Sequence, residues 1–389
     1  MNRWNQLLAA LPHTPEEPIR WEAINAAGFD AFAPALAKTP QNPRWHGEGD
    51  VLAHTRMVCE KLLALPEYRA EPPGVQQLLF VAALLHDIGK IPCTVQEDGE
   101  WTSPNHAVVG AQMARRFLWV ELGLCGTPEK QQLRETICRL VRYHMIPIRV
   151  AEEDAPALRL AKIAANGQLL PAFTLHRLCT LSLADTLGRI APDTQEGTEK
   201  LALAALAAEE AECLHSPRPF ATDHTARAYL AGRNVWPGQT LYDDCWGPVT
   251  LLCGLPGTGK DTWIRQNCPE LPMVSLDALR AELGISPTAS QGPVVQAGKE
   301  RCREYLRARR PFVYNATNLT ASVRGGLVQL FEEYGAWVRI VYLETGWEEQ
   351  LRRNRERSAA VPESAVCAML EKLNPPERHE ARQVEYLCV

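Results

Sequence analysis

The spacing of apolar and polar positions changes near the middle of this 389-residue chain. In the first part, apolar positions recur at intervals of three and four, which is typical of amphipathic helices. Clear examples are residues 50–65 (DVLAHTRMVCEKLLAL), 129–144 (EKQQLRETICRLVRYH) and 173–189 (FTLHRLCTLSLADTLGR). Short β-type runs then alternate with longer helical segments, at residues 249–254 (VTLLCG), 312–317 (FVYNAT) and 338–345 (VRIVYLET). Such alternation predicts a parallel sheet with crossover helices.

This change of pattern predicts a multidomain protein with two separate cores. A chain of this length with 46% hydrophobic residues can bury two cores. We expect an all-α domain over residues 1–235 and an α/β domain over residues 247–389. Residues 236–246, rich in Gly, Pro, Asp and Trp, would form the linker.

Composition and charge indicate where the protein acts, whether its cysteines are reduced and which partners it can bind. No run approaches the roughly 18 apolar residues of a membrane span, and the first residues lack the features of a signal peptide, so we expect a cytoplasmic protein with no membrane partner. Twelve cysteines occur singly without a CxxC pair, which predicts reduced thiols, no disulfides and no cysteine zinc site. The net charge of −5 argues against a wholly basic nucleic-acid coat and leaves room for local basic patches, such as residues 301–310.

Several histidines and aspartates of the first part lie on apolar helical faces. They are His54, His86, Asp87, His106, His144 and Asp185. A single histidine in such a position is most often a hydrogen-bonded core residue. Burying the whole set is costly unless its members satisfy one another or share a cation. Imidazole and carboxylate ligands without a thiolate favour Mn, Fe, Co, Ni or Zn over Ca, and Asp87 could bridge two ions.

These residues lie in motifs that carry a family resemblance. The ordered set HGEGDVLAHT, LLHDIGK, NHAVVG, YH and LADTLGR resembles the HD-domain phosphohydrolases over roughly residues 40–190. The resemblance implies that His54, His86, Asp87 and Asp185 hold one metal, with Asp87, His106 and His144 available to a second. Family members use the metals to activate water against a phosphoester. Two cations are candidates to contact the anionic substrate, although each alone would be a solvated helix-end charge: Lys90 and Arg189.

A glycine-rich segment in the second part predicts a phosphate-binding loop. Residues 249–262 (VTLLCGLPGTGKDT) pass from a strand through a turn into a helix. This is the Walker A pattern, in which backbone N–H groups cradle the phosphates of ATP and a lysine contacts the β and γ oxygens. Its members here are Gly254, Gly257, Thr258, Gly259 and Lys260. The position after the lysine is Asp261 rather than Ser or Thr, so either Asp261 or Thr262 would serve Mg²⁺.

Three later motifs supply candidate groups for phosphoryl transfer. Asp277 follows a short strand and could take a proton from an attacking hydroxyl, while Arg280 holds a neighbouring phosphate. Out of context, this pair would be a helix cap with a surface ion pair. Asn315 and Asn318 end a strand and are candidate substrate contacts. Arg353 and Arg357, four apart, would share a helical face and close over the triphosphate as a lid.

In order, GLPGTGKDT, DALR, NATN and RNRER resemble the P-loop 5′-OH polynucleotide kinase domain over about residues 247–375. That resemblance implies that Lys260 and Thr262 serve ATP, Asp277 is the general base, Arg280 contacts the acceptor's 3′ phosphate, and Arg353 with Arg357 form the lid. Asn315 stands where related kinases often carry Asp.

An HD phosphohydrolase followed by such a kinase resembles the bacterial HD-Pnk enzymes, which heal broken RNA ends. The resemblance implies a 2′,3′-phosphoesterase and a 5′-OH kinase that act on RNA or DNA ends with ATP, with an RNA ligase as a potential partner. Two alternatives are a nucleotidase fused to a small-metabolite kinase, and a nucleotide-sensing regulator whose sites bind without turnover.

Overall fold

The computed structural model describes residues 3–150, 152–286, 288–357 and 359–389. The chain separates into two compact units. The first runs to Cys125 and resumes over Glu129–Arg218, and the second comprises Gly126–Pro128 and Pro219–Val389. None of the helices in the described ranges combines the length and apolar character needed to cross a bilayer.

The first unit is helical, as the apolar spacing predicts. Its helices are α1 (Arg3–Ala10), α2 (Trp21–Ala26), α3 (Ala33–Leu36), α4 (Val51–Ala64), α5 (Pro66–Arg69), α6 (Pro73–Leu85), α7 (Lys90–Cys93), α8 (His106–Arg116), α9 (Pro128–Tyr143), α10 (Ile146–Val150), α11 (Pro156–Ala164), α12 (Leu175–Leu187) and α13 (Thr194–Glu210). A small antiparallel hairpin, β1 (Val95–Glu97) and β2 (Glu100–Thr102), interrupts them and is not evident from the sequence pattern.

Helix α6 is the centre of this unit. Its residues 78–85 are all buried, because α4 and α12 pack against it. A helix that is apolar on every side belongs in the middle of a core. The flanking helices begin at side-chain caps: Asp50 accepts a hydrogen bond from the N–H of Ala53, and Thr174 accepts one from the N–H of Arg177.

The second unit contains a five-stranded parallel sheet. Its elements are α14 (Asp223–Leu230), β3 (Trp246–Cys253), α15 (Lys260–Asn267), β4 (Met273–Ser275), α16 (Leu276–Glu282), α17 (Gly292–Arg307), β5 (Val313–Asn315), α18 (Ala321–Glu333), β6 (Ala336–Glu344), α19 (Trp347–Glu356), α20 (Glu363–Lys372) and β7 (Gln383–Cys388). The strand order is β4-β5-β3-β6-β7, and every neighbouring pair is parallel. The carboxyl ends of the strands therefore share one edge, where α/β proteins bind ligands.

The boundary between the units lies earlier than the sequence suggests. We expected the helical domain to continue to residue 235 and a linker to follow, but residues 219–246 lie with the α/β unit. The reason is Arg227 in α14, whose guanidinium donates to both carboxylate oxygens of Glu332 at 2.6 and 2.8 Å and to the carbonyl oxygen of His379. Contacts with residues that are distant in sequence can therefore fix a polar segment rich in Gly and Pro.

Two glycines allow the segment after α6 to approach α8 closely. A Cβ atom on Gly89 would overlap the carbonyl oxygen of His106 and lie 2.5 Å from the backbone nitrogen of Gly110. Two backbones can meet this closely only where the side chain is absent. The contact brings the start of α8, and with it His106, beside Asp87.

We expect Gly89→Ala to lower the free energy of unfolding by about 1–3 kcal/mol, because the added methyl group forces two backbones apart. Denaturant unfolding of the full chain, followed by far-UV circular dichroism, measures the change. Gly74→Ala is the matched control, since its Cβ would meet no atom within 4 Å. Equal stability of the two variants would contradict the close approach.

Candidate functional site

Four side chains of the helical unit converge on one point. Oδ2 of Asp87 lies 3.3 Å from Nε2 of His86 and 3.6 Å from Nε2 of His54. Oδ1 of Asp185 lies 3.1 Å from Nε2 of His54 and 3.9 Å from Nε2 of His86. These residues come from α4, the end of α6 and α12, so the packing of the three helices brings them together.

The second carboxylate oxygen of Asp87 faces another pair of imidazoles. Its Oδ1 lies 3.4 Å from Nε2 of His106 and 3.8 Å from Nε2 of His144. One buried carboxylate thus stands between two sets of ligand atoms, an arrangement that suits a bridging ligand. All six residues that we predicted from the sequence meet in this cluster.

Their positions on the helices differ from the expectation that each lies within a helix. His54 and Asp185 do lie inside α4 and α12, but His86 and Asp87 follow the last residue of α6. His106 opens α8, and His144 follows α9. Side chains at helix ends can gather around one point more easily than side chains on the helix surfaces.

The imidazole rings are held so that Nε2 faces the carboxylates. Three rings form a hydrogen bond through Nδ1 with the backbone carbonyl three residues earlier, at 2.7–2.8 Å: His86 with Ala83, His106 with Ser103 and His144 with Val141. Metal-bound histidines are typically oriented in this way by the second ring nitrogen.

The cluster fits divalent metal ions. Nε2 of His106, Nε2 of His144 and Oδ1 of Asp87 are buried and have no hydrogen-bond partner among the described residues. Burial, aided by His86, lowers the pKa of His144 to about 3, so its ring is neutral. Burial alone would raise the pKa of Asp87, but Lys90 and His86 hold it well below its usual range. Neutral imidazole and ionised carboxylate are the states that metal ligands require, and this nitrogen and oxygen set suits Mn, Fe, Co, Ni or Zn.

Two cations border the cluster, as the sequence suggests. A cavity of about 360 Å³ opens onto Asp87 and Asp185 and is lined by Lys90 and Arg189. Nζ of Lys90 lies 2.7 Å from Oδ2 of Asp87 and donates to Oε1 of Gln41, also at 2.7 Å. Nε of Arg189 lies 3.9 Å from Oδ1 of Asp185. Both cations therefore line the cavity that opens onto the cluster.

Sequence reasoning missed Glu48, which lies in the loop before α4. Its carboxylate is buried, with Oε1 2.8 Å from Nδ1 of His46 and 3.0 Å from Nδ1 of His54, and Oε2 accepts the N–H of Ile190. Burial alone would raise the pKa of Glu48, but the hydrogen bonds with His46, His54 and Ile190 outweigh it and hold the pKa well below the usual range. Glu48 therefore orients His54 in the way that carbonyl oxygens orient the other three rings. A glutamate six residues before His54 has no local feature that reveals this contact.

In the α/β unit, the predicted phosphate-binding loop joins β3 to α15. Gly254, Gly257 and Gly259 have φ angles of 147°, 83° and 80°. Side chains at Gly254 and Gly257 would also collide with the backbone of Leu343 and Gln350. Only glycine suits such positions, and the resulting loop directs backbone N–H groups towards its centre.

Lys260 points into this loop. Its Nζ donates to the carbonyl oxygens of Gly254 and Leu255 at 3.0 and 2.8 Å. Burial and the nearby Arg357 lower the pKa of Lys260 to about 8. Triphosphate oxygens would supply the negative charge that this lysine lacks in the free protein.

Asp261 and Thr262 both line the cavity beside the loop. Oδ1 of Asp261 accepts a hydrogen bond from Nδ2 of Asn315 at 2.7 Å, and the hydroxyl of Thr262 accepts one from Arg265. The carboxylate and hydroxyl oxygens of these two residues are suitable Mg²⁺ ligands. Asn315, at the end of β5, contacts Asp261 at this edge of the sheet.

The cavity has a volume of about 730 Å³ and contains the predicted transfer groups. Asp277 and Arg280 form an ion pair, and Nε of Arg280 donates to Oε1 of Gln291 at 2.8 Å. Nη2 of Arg357 lies 3.8 Å from Oδ2 of Asp277. Arg353 also lines the cavity, but Arg357 has extended backbone just beyond α19. The two arginines therefore do not share a helical face, because the helix ends between them.

The side chain of Asn318 faces the core and not the cavity. We expected a substrate contact, but its side chain is buried and Nδ2 donates to the carbonyl oxygen of Leu252 at 2.6 Å. Arg324 donates to the backbone carbonyl of Asn318 and pairs with Glu380. Asn318 thus holds the loop after β5 against β3. A residue at the end of a strand can face the core as readily as a bound ligand, and its position in the sequence does not distinguish the two.

Comparison with known families agrees with this geometry. Residues 51–189 match the family model described as HD domain, and residues 249–376 match the one described as AAA domain. The first match falls on the helical unit with its histidine and aspartate cluster, and the second on the α/β unit with its phosphate-binding loop.

Two individual proteins are similar to parts of the chain. The human heterogeneous nuclear ribonucleoprotein U-like protein 2 is 24% identical over 180 residues, which cover 42% of this chain and 24% of that protein. The chain thus spans about a quarter of the length of this relative. The crystal structure of a gluconokinase from Sinorhizobium meliloti 1021 is 24% identical, with a TM-score of 0.28 over 36% of this chain and 83% of that chain.

We expect Glu48→Gln to weaken Mn²⁺ or Ni²⁺ binding by the HD domain by roughly 10- to 100-fold, the usual effect of losing a group that orients a ligand. The neutral amide oxygen is a weaker acceptor than the carboxylate, and turning it towards the two imidazoles would set the NH₂ group against the N–H of Ile190. Isothermal titration calorimetry of the metal alone measures the affinity. Glu100→Gln is the control, because Glu100 lines the same cavity without contacting a histidine in the described structure. Equal affinities of the two variants would contradict the role of Glu48.

The lowered pKa of Lys260 predicts a pH dependence of ATP binding. Below about pH 8 the lysine is already charged, so the affinity should be flat. Above that pH the free protein must take up a proton to bind, so the affinity should fall by up to about tenfold per pH unit. Binding of ATP at pH 7, 8 and 9 measures this. Lys260→Arg keeps a cation that does not deprotonate, and its remaining affinity should not change over the same range.

Proposed function

We propose that this chain heals nucleic-acid ends, with the HD domain removing 2′,3′-cyclic or terminal phosphates and the α/β domain transferring phosphate from ATP to a 5′-OH. The observation that carries the proposal is the pairing of Asp277 with Arg280 inside the P-loop cavity. A base beside an arginine suits an acceptor whose hydroxyl lies next to a phosphate, as in a polynucleotide.

In the HD domain, the chain's own groups bind and orient the phosphoester. Lys90 and Arg189 line the cavity next to the cluster and would contact the non-bridging oxygens of the phosphate. The histidines and aspartates would hold divalent ions, which supply Lewis-acid charge that acidifies water and offsets charge on the phosphoryl oxygens. Since the ligand atoms are buried and fixed before substrate arrives, little rearrangement is needed.

In the kinase domain, the phosphate loop and Lys260 would hold the β and γ phosphates of ATP, with Mg²⁺ held by Asp261 or Thr262. Asp277 is well placed to accept the proton of the 5′-OH, because it is exposed to the cavity rather than buried. The acceptor's phosphate would draw Arg280 away from Asp277 and free the carboxylate. Arg353 and Arg357 would then contact the transferred group.

A small-metabolite kinase joined to a nucleotidase is the competing function, and the two family matches fit it equally well. The contact between Asp277 and Arg280 favours the polynucleotide, because a simple sugar offers no phosphate next to its hydroxyl. The name of the human relative, a ribonucleoprotein, is in keeping with an RNA substrate.

The decisive experiment supplies an RNA with a 5′-OH and a 2′,3′-cyclic phosphate, together with labelled ATP, and analyses both ends. Wild-type protein should phosphorylate the 5′ end and remove the 3′ phosphate. Lys260→Ala should lose about 10³-fold or more in 5′ phosphorylation alone, because an uncompensated transition-state charge carries a penalty of this order. Asp87→Ala should lose only the phosphate removal.

Arg355→Ala is a matched control, since this exposed arginine of α19 does not line the cavity. It should keep both activities. If a sugar or nucleoside is phosphorylated while every 5′-OH oligonucleotide is refused, the small-metabolite function replaces the one proposed. Turnover at neither end would instead indicate a binding protein.

A further inference from the structure

Another group of side chains that could bind a metal ion lies in the α/β unit, outside the two sites described above. It consists of His224 near the start of α14, and Asp243 and Cys245 in the segment before β3. Nδ1 of His224 lies 3.8 Å from Oδ1 of Asp243 and 4.0 Å from Sγ of Cys245. One imidazole, one carboxylate and one thiol thus present their ligand atoms to a common point.

These separations resemble the edges of a tetrahedral site. Bonds of about 2.0–2.3 Å from Zn²⁺ to nitrogen, oxygen and sulfur give ligand-to-ligand distances of roughly 3.3–3.8 Å. The separation of His224 from Asp243 lies at the upper end of that range, that of His224 from Cys245 exceeds it by about 0.2 Å, and all three ligand atoms lie within 4.8 Å of one another. We propose that His224, Asp243 and Cys245 bind one divalent ion of the zinc type.

The surroundings of the group support this assignment. Oδ2 of Asp243 accepts a hydrogen bond from Arg382 at 2.6 Å, and Oδ1 accepts one from the N–H of Cys245 at 3.2 Å. Carboxylates that bind metals are usually fixed by such second contacts. The arginine engages one oxygen and leaves the other directed at His224.

The ion would have room for a fourth ligand. A cavity of about 410 Å³ is lined by His224 and Cys245. A site with three protein ligands and one open position can take water or a small anion. If these residues bind no ion, they form only a contact between the Cys245 thiol and the His224 imidazole, next to the salt bridge between Asp243 and Arg382. The test must distinguish a bound ion from this contact.

An ion at this point would have a structural consequence. It would join α14 to the segment that leads into β3, where polar and Gly- or Pro-rich sequence otherwise offers little apolar surface. Because the ligands come from two places in the chain, metal binding would add to the free energy of folding of this segment.

Titration of the full-length protein with Co²⁺ tests the proposal, because a thiolate ligand gives Co²⁺ a charge-transfer absorption in the near ultraviolet. The HD cluster contains only nitrogen and oxygen ligands, so this absorption reports on Cys245 and not on that cluster. We expect the absorption to reach the intensity of one thiolate–Co²⁺ bond per chain, however much Co²⁺ the HD cluster also takes up, and to disappear when Zn²⁺ is added.

Two variants and two controls make the result specific. Cys245→Ser and His224→Gln should abolish the absorption, with folding checked by circular dichroism. Cys367→Ser, which alters another half-buried thiol of the same unit, should retain it. His86→Ala should also retain it, so the outcome is independent of the proposed end-healing activity. Absence of the absorption in the wild-type protein, or its persistence in Cys245→Ser, would overturn the proposal.

Discussion

Burial of the Asp87 carboxylate is the constraint on which the helical unit depends. An ionised carboxylate in an apolar core costs several kcal/mol unless opposite charge and hydrogen bonds compensate. Asp185 and Glu48 add two more buried carboxylates, whereas Lys90 and Arg189 are the cations that accompany them. Three negative charges stand against two positive ones, and His144 is held neutral. Burial would lower the pKa of His54, but Asp185 and Glu48 raise it, so in the free protein this ring offsets part of the deficit. Divalent ions would remove this deficit, so the same residues that threaten the stability of the core are suited to form a metal site.

Precision at that site comes from the apolar helix before it. Residues 78–85 of α6 are buried on every side, so the helix cannot rotate or shift without opening cavities. Its end therefore fixes the direction of His86 and Asp87. The phosphate-binding loop is held in place by its backbone instead. Its glycines adopt φ angles that direct backbone N–H groups towards the centre of the loop, and a side chain at these positions would displace them. One site is rigid because its helices are packed, and the other because its loop can adopt few shapes.

Local patterns in the sequence were enough to predict the two fold classes and the six clustered histidines and aspartates. For His54 and Asp185, which lie inside helices, the signal is periodicity, since a polar residue on an apolar helical face must find a partner inside. The other four stand at helix ends, so the motifs that contain them, rather than a helical face, were the reliable signal. Contacts between distant segments leave no such signal. Glu48 lies in a loop, Asn318 turns towards the core because of Arg324, and α14 joins the second unit through Glu332. Strand β7 was also missed, because it closes the edge of the sheet and is only partly buried. The cysteine spacing predicts no zinc site with thiol ligands, and the site proposed at Cys245 would escape such a prediction because it depends on the approach of α14 to the segment before β3.

The two units meet the electrostatic demands of phosphate chemistry in different ways. In the HD domain the candidate metal ligands are neutral or negative, and the positive charge beyond Lys90 and Arg189 would come from metal ions. In the α/β domain the positive charge comes from Lys260, Arg280, Arg353 and Arg357 around one cavity. A net charge of −5 is therefore no obstacle to phosphate-bearing substrates, because the relevant charge is local. The two sites also differ in how far their side chains can move to fit a substrate. Buried ligand atoms favour one fixed phosphate geometry, whereas half-exposed arginines now paired with Asp277 and Glu349 can exchange those partners for substrate phosphates as they bind.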